Sequence, residues 1–454
     1  MGGTSGRADE VDAVVGGATV GDTRTFRRRL VTLVLLVAAA GCYVGIVVIR
    51  LGPPAGGDTA PLTGVTSALA NGDLRVAASV TSLPNPPGYP LLAAPLVAAF
   101  PSFVGSPTWC TPAGRVAGSG HGVDGGFPVC GVRTATADGG PGPTLPPWYR
   151  AQGVLGVASW LVLAIGALAL LRAAGADSLA REAGLLVFLA FLPASSSAIV
   201  QLYHPQDIVS LGLSLGGLSQ VLRRRWLLAG ALFGAAVLSK QIALLVLVPA
   251  LVVVPGRRPR LATATGALVV FGAGILPFLV VDPRATLENL SGFSAGGAAA
   301  GQTIVSLMGV HGTVASAVAR DAPMVFAVGV CIWAASRRTA WIDDPTAVVA
   351  LALVCTGSRL VFESVIFPYY LLAASVLVLL LDLVARRSPV RSLAWCAAAA
   401  FFVALHPDNE FVAAFGTFIL AIVVVVIGAI DVVRFDRSTS TRRLDPAVPL
   451  PGSA

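Results

Sequence analysis

An all-α, polytopic membrane bundle of about twelve spanning helices, some of them short, is the fold class this sequence predicts. Three observations predict it. Hydrophobic residues fill 55% of the 454 positions and charged residues only 12%, about half the charged share of a soluble domain. The mean hydropathy is +0.81, and the charge is clustered, leaving apolar runs near the roughly 20 residues that cross 30 Å of hydrocarbon. Finally, the formal charge of +8 comes from arginines at the ends of those runs, where cytoplasmic anchors sit. A nucleic-acid surface would group them on one polar face, so no nucleic-acid partner is expected. Lysine occurs once, at Lys240. The Arg/Ala/Gly/Val bias is that of a high-GC bacterial genome.

Residues 1–26 are Gly-rich and polar, a composition that favours a disordered cytoplasmic tail. Arg27, Arg28 and Arg29 precede the apolar run 30–49, which is longer than the 7–15 residues of a signal-peptide core and reads as an uncleaved first helix. Further spans are expected at 151–171, 183–203, 206–222, 226–239, 241–255, 261–281, 322–336, 345–358, 367–384, 392–406 and 411–431, within a membrane domain of 27–431. A cytoplasmic tail, 432–454, follows. This topology puts more than two-thirds of the 31 basic residues on the cytoplasmic side.

Two stretches depart from simple spans. Residues 226–255 are apolar except at Ser239, Lys240 and Gln241. One straight helix would be about 45 Å long, while each arm of a hairpin is about 21 Å, too short to cross alone. The arginines at 257, 258 and 260 favour the hairpin, with Lys240 at its tip. The run 345–358 is also short, and Arg359 and Glu363 follow it. Short paired segments of this kind leave a polar cavity at membrane depth.

The segment 50–150 is expected to be an extracytoplasmic first loop. It contains the apolar run 90–100, too short to cross and expected at the interface, and a Gly/Pro-rich insert, 105–147. That insert carries Cys110 and Cys130, the one cysteine pair outside the spans. An oxidising exterior favours a disulfide between them; no nearby CxxC or His pair supports the rival zinc site.

Ionisable residues at membrane depth are costly to keep, so those retained invite a functional reading. On this topology Asp58, Asp73, His204, Asp207, Lys240, Asp282, Arg359, Glu363, His406, Asp408 and Glu410 gather at the outer boundary, whereas the inner boundary shows mainly arginine. Structural roles compete for each. Asp58 stands where a cap for a helix near Pro61 would, and Asp73 lies in an Asn-Gly-Asp turn. Lys240 is able to snorkel, Arg359 and Glu363 have the i,i+4 spacing of an ion pair, and His204 with Asp207 fits a helix start.

Several of these segments share a pattern. GGDTAPLTGVTSALANGD followed by NPPGYPLLAAPL, HPQDIVSLGLSL, the RRRWLLAGALFGAAVLSKQIALLVLVPALVVVPGRRPR hairpin and SRLVFESVIFPYYLLAASVLVLLL occur in order over residues 30–385. Together they resemble the GT-C glycosyltransferases, of the bacterial mannosyl- and arabinosyltransferase kind. Gln241 stands where that pattern often has Pro or Gly, and Asp58 lacks the second acid of an Asp-x-Asp or Asp-Glu pair. No metal or other cofactor is therefore expected. The resemblance implies an inverting membrane enzyme that moves a sugar from a polyprenyl-phosphate donor to a glycan or glycolipid acceptor, on the extracytoplasmic face of a bacterial plasma membrane. It implies Asp58 as general base and Lys240 and Arg359 on the donor phosphate; Tyr89, His204, Asp207, Glu363 and Tyr369 become candidates for substrate contact. A lipid-sugar transporter and a non-catalytic subunit of the same fold are the competing readings.

Overall fold

The computed structural model describes residues 19–50, 59–79, 86–99, 147–200, 203–291, 308–309, 312–337, 341–363, 366, 368–404 and 410–444. The expectations for Asp58, the Cys110–Cys130 bridge, His406 and Asp408 fall outside them. Among the described residues the elements are all helical. They are α1 (Thr19–Arg50), α2 (Thr59–Ala70), α3 (Leu74–Ser79), α4 (Gly88–Ala99), α5 (Pro147–Ala173), α6 (Leu179–Phe191), α7 (Pro193–Val200), α8 (Pro205–Leu222), α9 (Trp226–Ser239), α10 (Leu244–Val253), α11 (Arg257–Val281), α12 (Pro283–Ser291), α13 (Gly312–Ser336), α14 (Pro345–Phe362), α15 (Leu371–Val384), α16 (Val390–Ala404) and α17 (Glu410–Leu444). Short 3-10 turns occupy Gln241–Ala243, Trp341–Asp343 and Pro368–Tyr370.

Among the described residues, seven helical stretches are long and apolar enough to cross a membrane, and five apolar helices are shorter. The chain is thus an all-α polytopic membrane bundle whose spans are unequal. The short ones survive because they are interior: α15 is buried almost throughout its 14 residues, so protein rather than lipid surrounds its ends. The outer wall includes α1, α11 and α13, which expose large apolar side chains such as Val37, Leu268 and Ile332.

Several boundaries differ from the expected spans: α1 begins at Thr19, within the tail expected to be disordered, α13 begins ten residues early at Gly312, and α17 runs on to Leu444, into the expected cytoplasmic tail. Three further differences have a local cause. The run at 183–203 breaks at Leu192, whose extended backbone precedes Pro193 at the start of α7, because proline cannot supply the N–H that would continue the helix. The expected 345–358 span runs on to Phe362, so Arg359 lies inside its last turn. Gly357 does not end it: that glycine faces Val424 and Val425 of α17, and apolar residues follow. The run 90–100 becomes α4, whose Tyr89, Ala93 and Val97 pack with Leu155, Val209 and Phe278. Its inner face is thus covered by protein.

Close backbone approaches fix the direction of the central helices. A Cβ on Gly230 would meet Thr263, one on Gly234 would meet Ala267, and one on Gly274 would meet Leu238. Residue numbers rise together, so α9 and α11 run parallel. The chain must therefore reverse between them, at Lys240, and Arg225 and Arg257 lie at the same end of the bundle.

That end is tied by ion pairs. Glu182, fully buried, accepts two bonds from Arg172 at 3.0 and 3.1 Å, one from Arg28 at 3.1 Å and one from the Thr32 hydroxyl at 2.6 Å. Asp431 takes both terminal nitrogens of Arg387 at 2.6 and 2.8 Å, and Asp382 is bound by Arg391 and Ser392. The arginines expected to float at a membrane boundary are anchored to buried carboxylates that sequence reading passed over.

Candidate functional site

The other end of α8, α9, α14 and α15 holds a partly open cavity. Its walls are Asp207, Ser210 and Ser214 of α8, Ile242 and Val246 at the start of the hairpin's second arm, Thr356 and Arg359 of α14, and Tyr369, Tyr370 and Ala373 at the head of α15. The N-termini of α8 and α15 both open on it, and α10 begins beside it after the Gln241–Ala243 turn.

Local sequence explains each position. Pro205 presets the first turn of α8 after His204. Asp207 follows in that turn, where a carboxylate is favoured by the helix dipole. Lys240 caps the end of α9 in an extended conformation, φ −159° and ψ 127°, so its side chain leaves the helix axis and crosses to α8. There its ammonium lies 3.1 Å from Asp207 Oδ2. The approach is off the hydrogen-bond direction and Oδ2 accepts no hydrogen bond, so the contact is ionic only. The hydroxyl of Ser210 donates to the Ala236 carbonyl at 3.0 Å, bracing the last turn of α9 against α8.

Arg359 and Glu363 pair as their spacing suggested: Nε donates to Glu363 Oε2 at 2.9 Å, with both side chains over nine-tenths buried. The guanidinium carbon lies 4.1 Å from the centroid of the Tyr370 ring. Nη1 and Nη2 make no hydrogen bond to the described residues, so a rigid fork of donors remains beside the cavity. Rings connect the two ion pairs. Tyr370 stands edge-on to Tyr369 at 4.6 Å, and Tyr369 stacks on His204 at 4.2 Å. His204 Nδ1 in turn lies 3.6 Å from Asp207 Oδ2.

Six of the sequence-derived residues thus come together: Asp207, Arg359 and Tyr369 line the cavity, and Lys240, His204 and Glu363 contact one of those three. Tyr89 does not line it. Its hydroxyl lies 3.2 Å from that of Tyr203, the residue before His204, and it forms a layer behind the site. The backbone at Gly88 abuts the hairpin so closely that a Cβ there would sit 2.4 Å from the carbonyl carbon of Leu238. Asp73 and Asp282 cap helices, accepting from the backbone N–H of Val76 at 3.0 Å and of Ala285 at 2.9 Å.

Sequence reading missed Ser210, Ser214, Thr356 and Tyr370. The first two had a signal, since 207, 210 and 214 follow helical spacing on one face of α8; Tyr370 stood in the Pro-Tyr-Tyr segment already quoted. The Ser214 hydroxyl is buried and has no hydrogen-bond partner among the described residues. Among the described residues no three His, Cys, Asp or Glu side chains are grouped for a metal.

Chemically, the cavity lining and the side chains that contact it offer two cations, two carboxylates and aromatic faces at one end of the bundle. A search among curated proteins returned no match. The family model of glycosyltransferase family 87 matches residues 142–363, a stretch that includes His204, Asp207, Lys240, Arg359 and Glu363 but not Asp58, Tyr89 or Tyr369. The match indicates a multi-pass membrane glycosyltransferase, and the segment that builds most of the cavity is similar to glycosyltransferase family 87.

Proposed function

We propose that the chain transfers a sugar from a polyprenyl-phosphate donor to a cell-envelope glycan or glycolipid, with inversion, on the extracytoplasmic side of a bacterial plasma membrane. The observation that carries this reading is the Nη1/Nη2 fork of Arg359, which makes no hydrogen bond to the described residues, beside the cavity. A guanidinium fork matches two phosphate oxygens at once. Lys240 and the helix N-termini add positive potential in a setting of low dielectric.

In the reaction the acceptor hydroxyl oxygen attacks the anomeric carbon from the face opposite the phosphate. The bond from that carbon to the phosphate oxygen breaks, its electron pair stays on the leaving phosphate, and the hydroxyl proton passes to a carboxylate base. The phosphate goes from one negative charge to two, so a fixed fork stabilises the transition state more than the ground state. We assign the base to Asp58 of the first loop. Helix α2, which starts at the next residue, packs on α4, and Gly88 of α4 abuts the hairpin that carries Lys240. The opposite end, rich in arginine, is then cytoplasmic.

The test uses full-length protein in detergent, native mass spectrometry for a co-purified polyprenyl-phosphate sugar, and transfer assays with that donor. Asp58→Asn removes the base while nearly preserving shape, so transfer should fall about 10²–10⁴-fold with donor still bound. Transfer by Asp58→Asn at the wild-type rate would overturn the assignment of the base; protein that binds no lipid-linked sugar would overturn the donor.

A further inference from the structure

Lys240 is not free to serve an anion as it stands, because its ammonium is held by Asp207. If it turns to a phosphate, Asp207 is left as a charge in a buried site, which is strongly unfavourable unless another cation takes its place. The neighbouring groups contain a replacement. His204 Nδ1 lies 3.6 Å from the same Oδ2 and 3.1 Å from the amide nitrogen of Gln206. With that amide nitrogen donating, Nδ1 carries no proton and the imidazole is neutral.

Two buried acceptors then lack a hydrogen-bond donor among the described residues: Asp207 Oδ2 and Gln206 Oε1. A proton on His204 Nδ1 supplies one. The Gln206 amide is free to turn over and present Oε1, since its two orientations are nearly isosteric, and the imidazolium faces the Asp207 carboxylate.

We propose that Asp207 and His204 are positioning residues for Lys240: binding of an anionic donor moves the ammonium from Asp207 to the phosphate, and His204 takes up one proton from solvent to replace it. The charge balance closes. Before binding, Lys240 pairs with Asp207 and His204 is neutral; afterwards Lys240 pairs with the phosphate and protonated His204 pairs with Asp207. Among the described residues, the other charged or titratable groups facing this pair are Arg359 and Glu363 from α14 and Tyr369 and Tyr370 from α15. Arg359 is paired with Glu363 through Nε and its fork is assigned to the phosphate, so it does not replace the ammonium at Asp207.

The sign follows from linkage. The bound state holds the imidazolium more firmly than the empty state, so affinity is full at low pH and falls as pH rises through the bound-state titration. The inference rests on the phosphate reading of the cavity, and the test separates the two. Titration calorimetry of the full chain with farnesyl methyl phosphate, a phosphodiester whose charge is constant near neutrality, is run in buffers of different ionisation enthalpy at pH 8. The wild type should take up close to one proton per ligand, and its Kd should rise towards tenfold per pH unit. His204→Gln should bind with no proton uptake and a flat pH profile. Lys240→Met should also show none, because Asp207 then holds a protonated His204 before ligand arrives. Wild-type binding without proton uptake overturns the exchange while leaving the phosphate site intact. Uptake that persists in both variants overturns it as well. Absence of binding by the wild type overturns the phosphate reading, and this inference with it.

Discussion

Replacing Gly212 by Ala tests how far the cavity depends on the close contact of α8 with α5. A Cβ at 212 would lie 2.7 Å from the Cα and N of Leu163 and from the carbonyl carbon of Val162. In the reverse direction, a Cβ on Gly166 would lie 2.1 Å from the carbonyl oxygen of Gly212. These neighbours are backbone atoms with no rotamer to turn. The two helices must therefore separate by roughly 1 Å to regain an ordinary carbon contact of about 3.5–4.0 Å. Overpacking of this kind costs about 1–3 kcal/mol. Asp207 and Ser210 stand on the same helix within one and a half turns, so they move with it. A displacement of about 1 Å in a positioned group lowers turnover by up to ~10²-fold. Gly184 on α6 is the control: nothing lies within 4 Å of its Cβ position, and removing a helical glycine there should stabilise by about 0.5–1 kcal/mol. Thermal unfolding in detergent, followed by tryptophan fluorescence with buried Trp160 on α5 as a reporter, reads the first effect. Calorimetry with the phosphodiester and the transfer rate read the second. A Gly212→Ala protein with wild-type melting and transfer would refute the argument, as would a Gly184→Ala protein that loses as much.

Arg359→Lys keeps the charge and removes the fork, so affinity for the phosphodiester should fall at least about tenfold, given roughly 1.5–3 kcal/mol for a charged hydrogen bond; unchanged affinity would show that the fork does not hold the anion. Because α9 and α11 are parallel, a cysteine introduced at Arg258 should react with a membrane-impermeant reagent only from the cytoplasmic side of intact cells. Labelling from outside would invert the assigned topology. Cys110 and Cys130 should be joined by a disulfide, seen as one cross-linked peptide in protein kept from reductant; two alkylated thiols would dismiss the bridge.

The membrane class, the arginine-marked end and the hairpin reversal at Lys240 were all legible in the sequence, because each follows from transfer free energies that depend on local composition. Apolar runs, charge position and proline act over a few residues, so reading along the chain captures them. His204, Asp207, Lys240, Arg359 and Glu363 were legible for the same reason: an ionisable residue at a helix end near hydrocarbon is costly and stands out. What each one touches was not legible. That Lys240 reaches Asp207 depends on the extended backbone at its position and on the depth at which α8 begins. That Tyr369 bridges toward His204 depends on the 3-10 turn ahead of α15. The carboxylates Glu182, Asp382 and Asp431 escaped notice because their arginine partners lie on other helices or beyond a turn. The placement of Tyr89 behind Tyr203, outside the cavity wall, turns on the contact at Gly88, where the absence of a side chain lets α4 lie against the hairpin. Composition and spacing set which residues must be kept out of lipid, because solvation is paid residue by residue. Only packing decides which of them meet, because contact distances depend on helix crossings and capping angles from many parts of the chain at once.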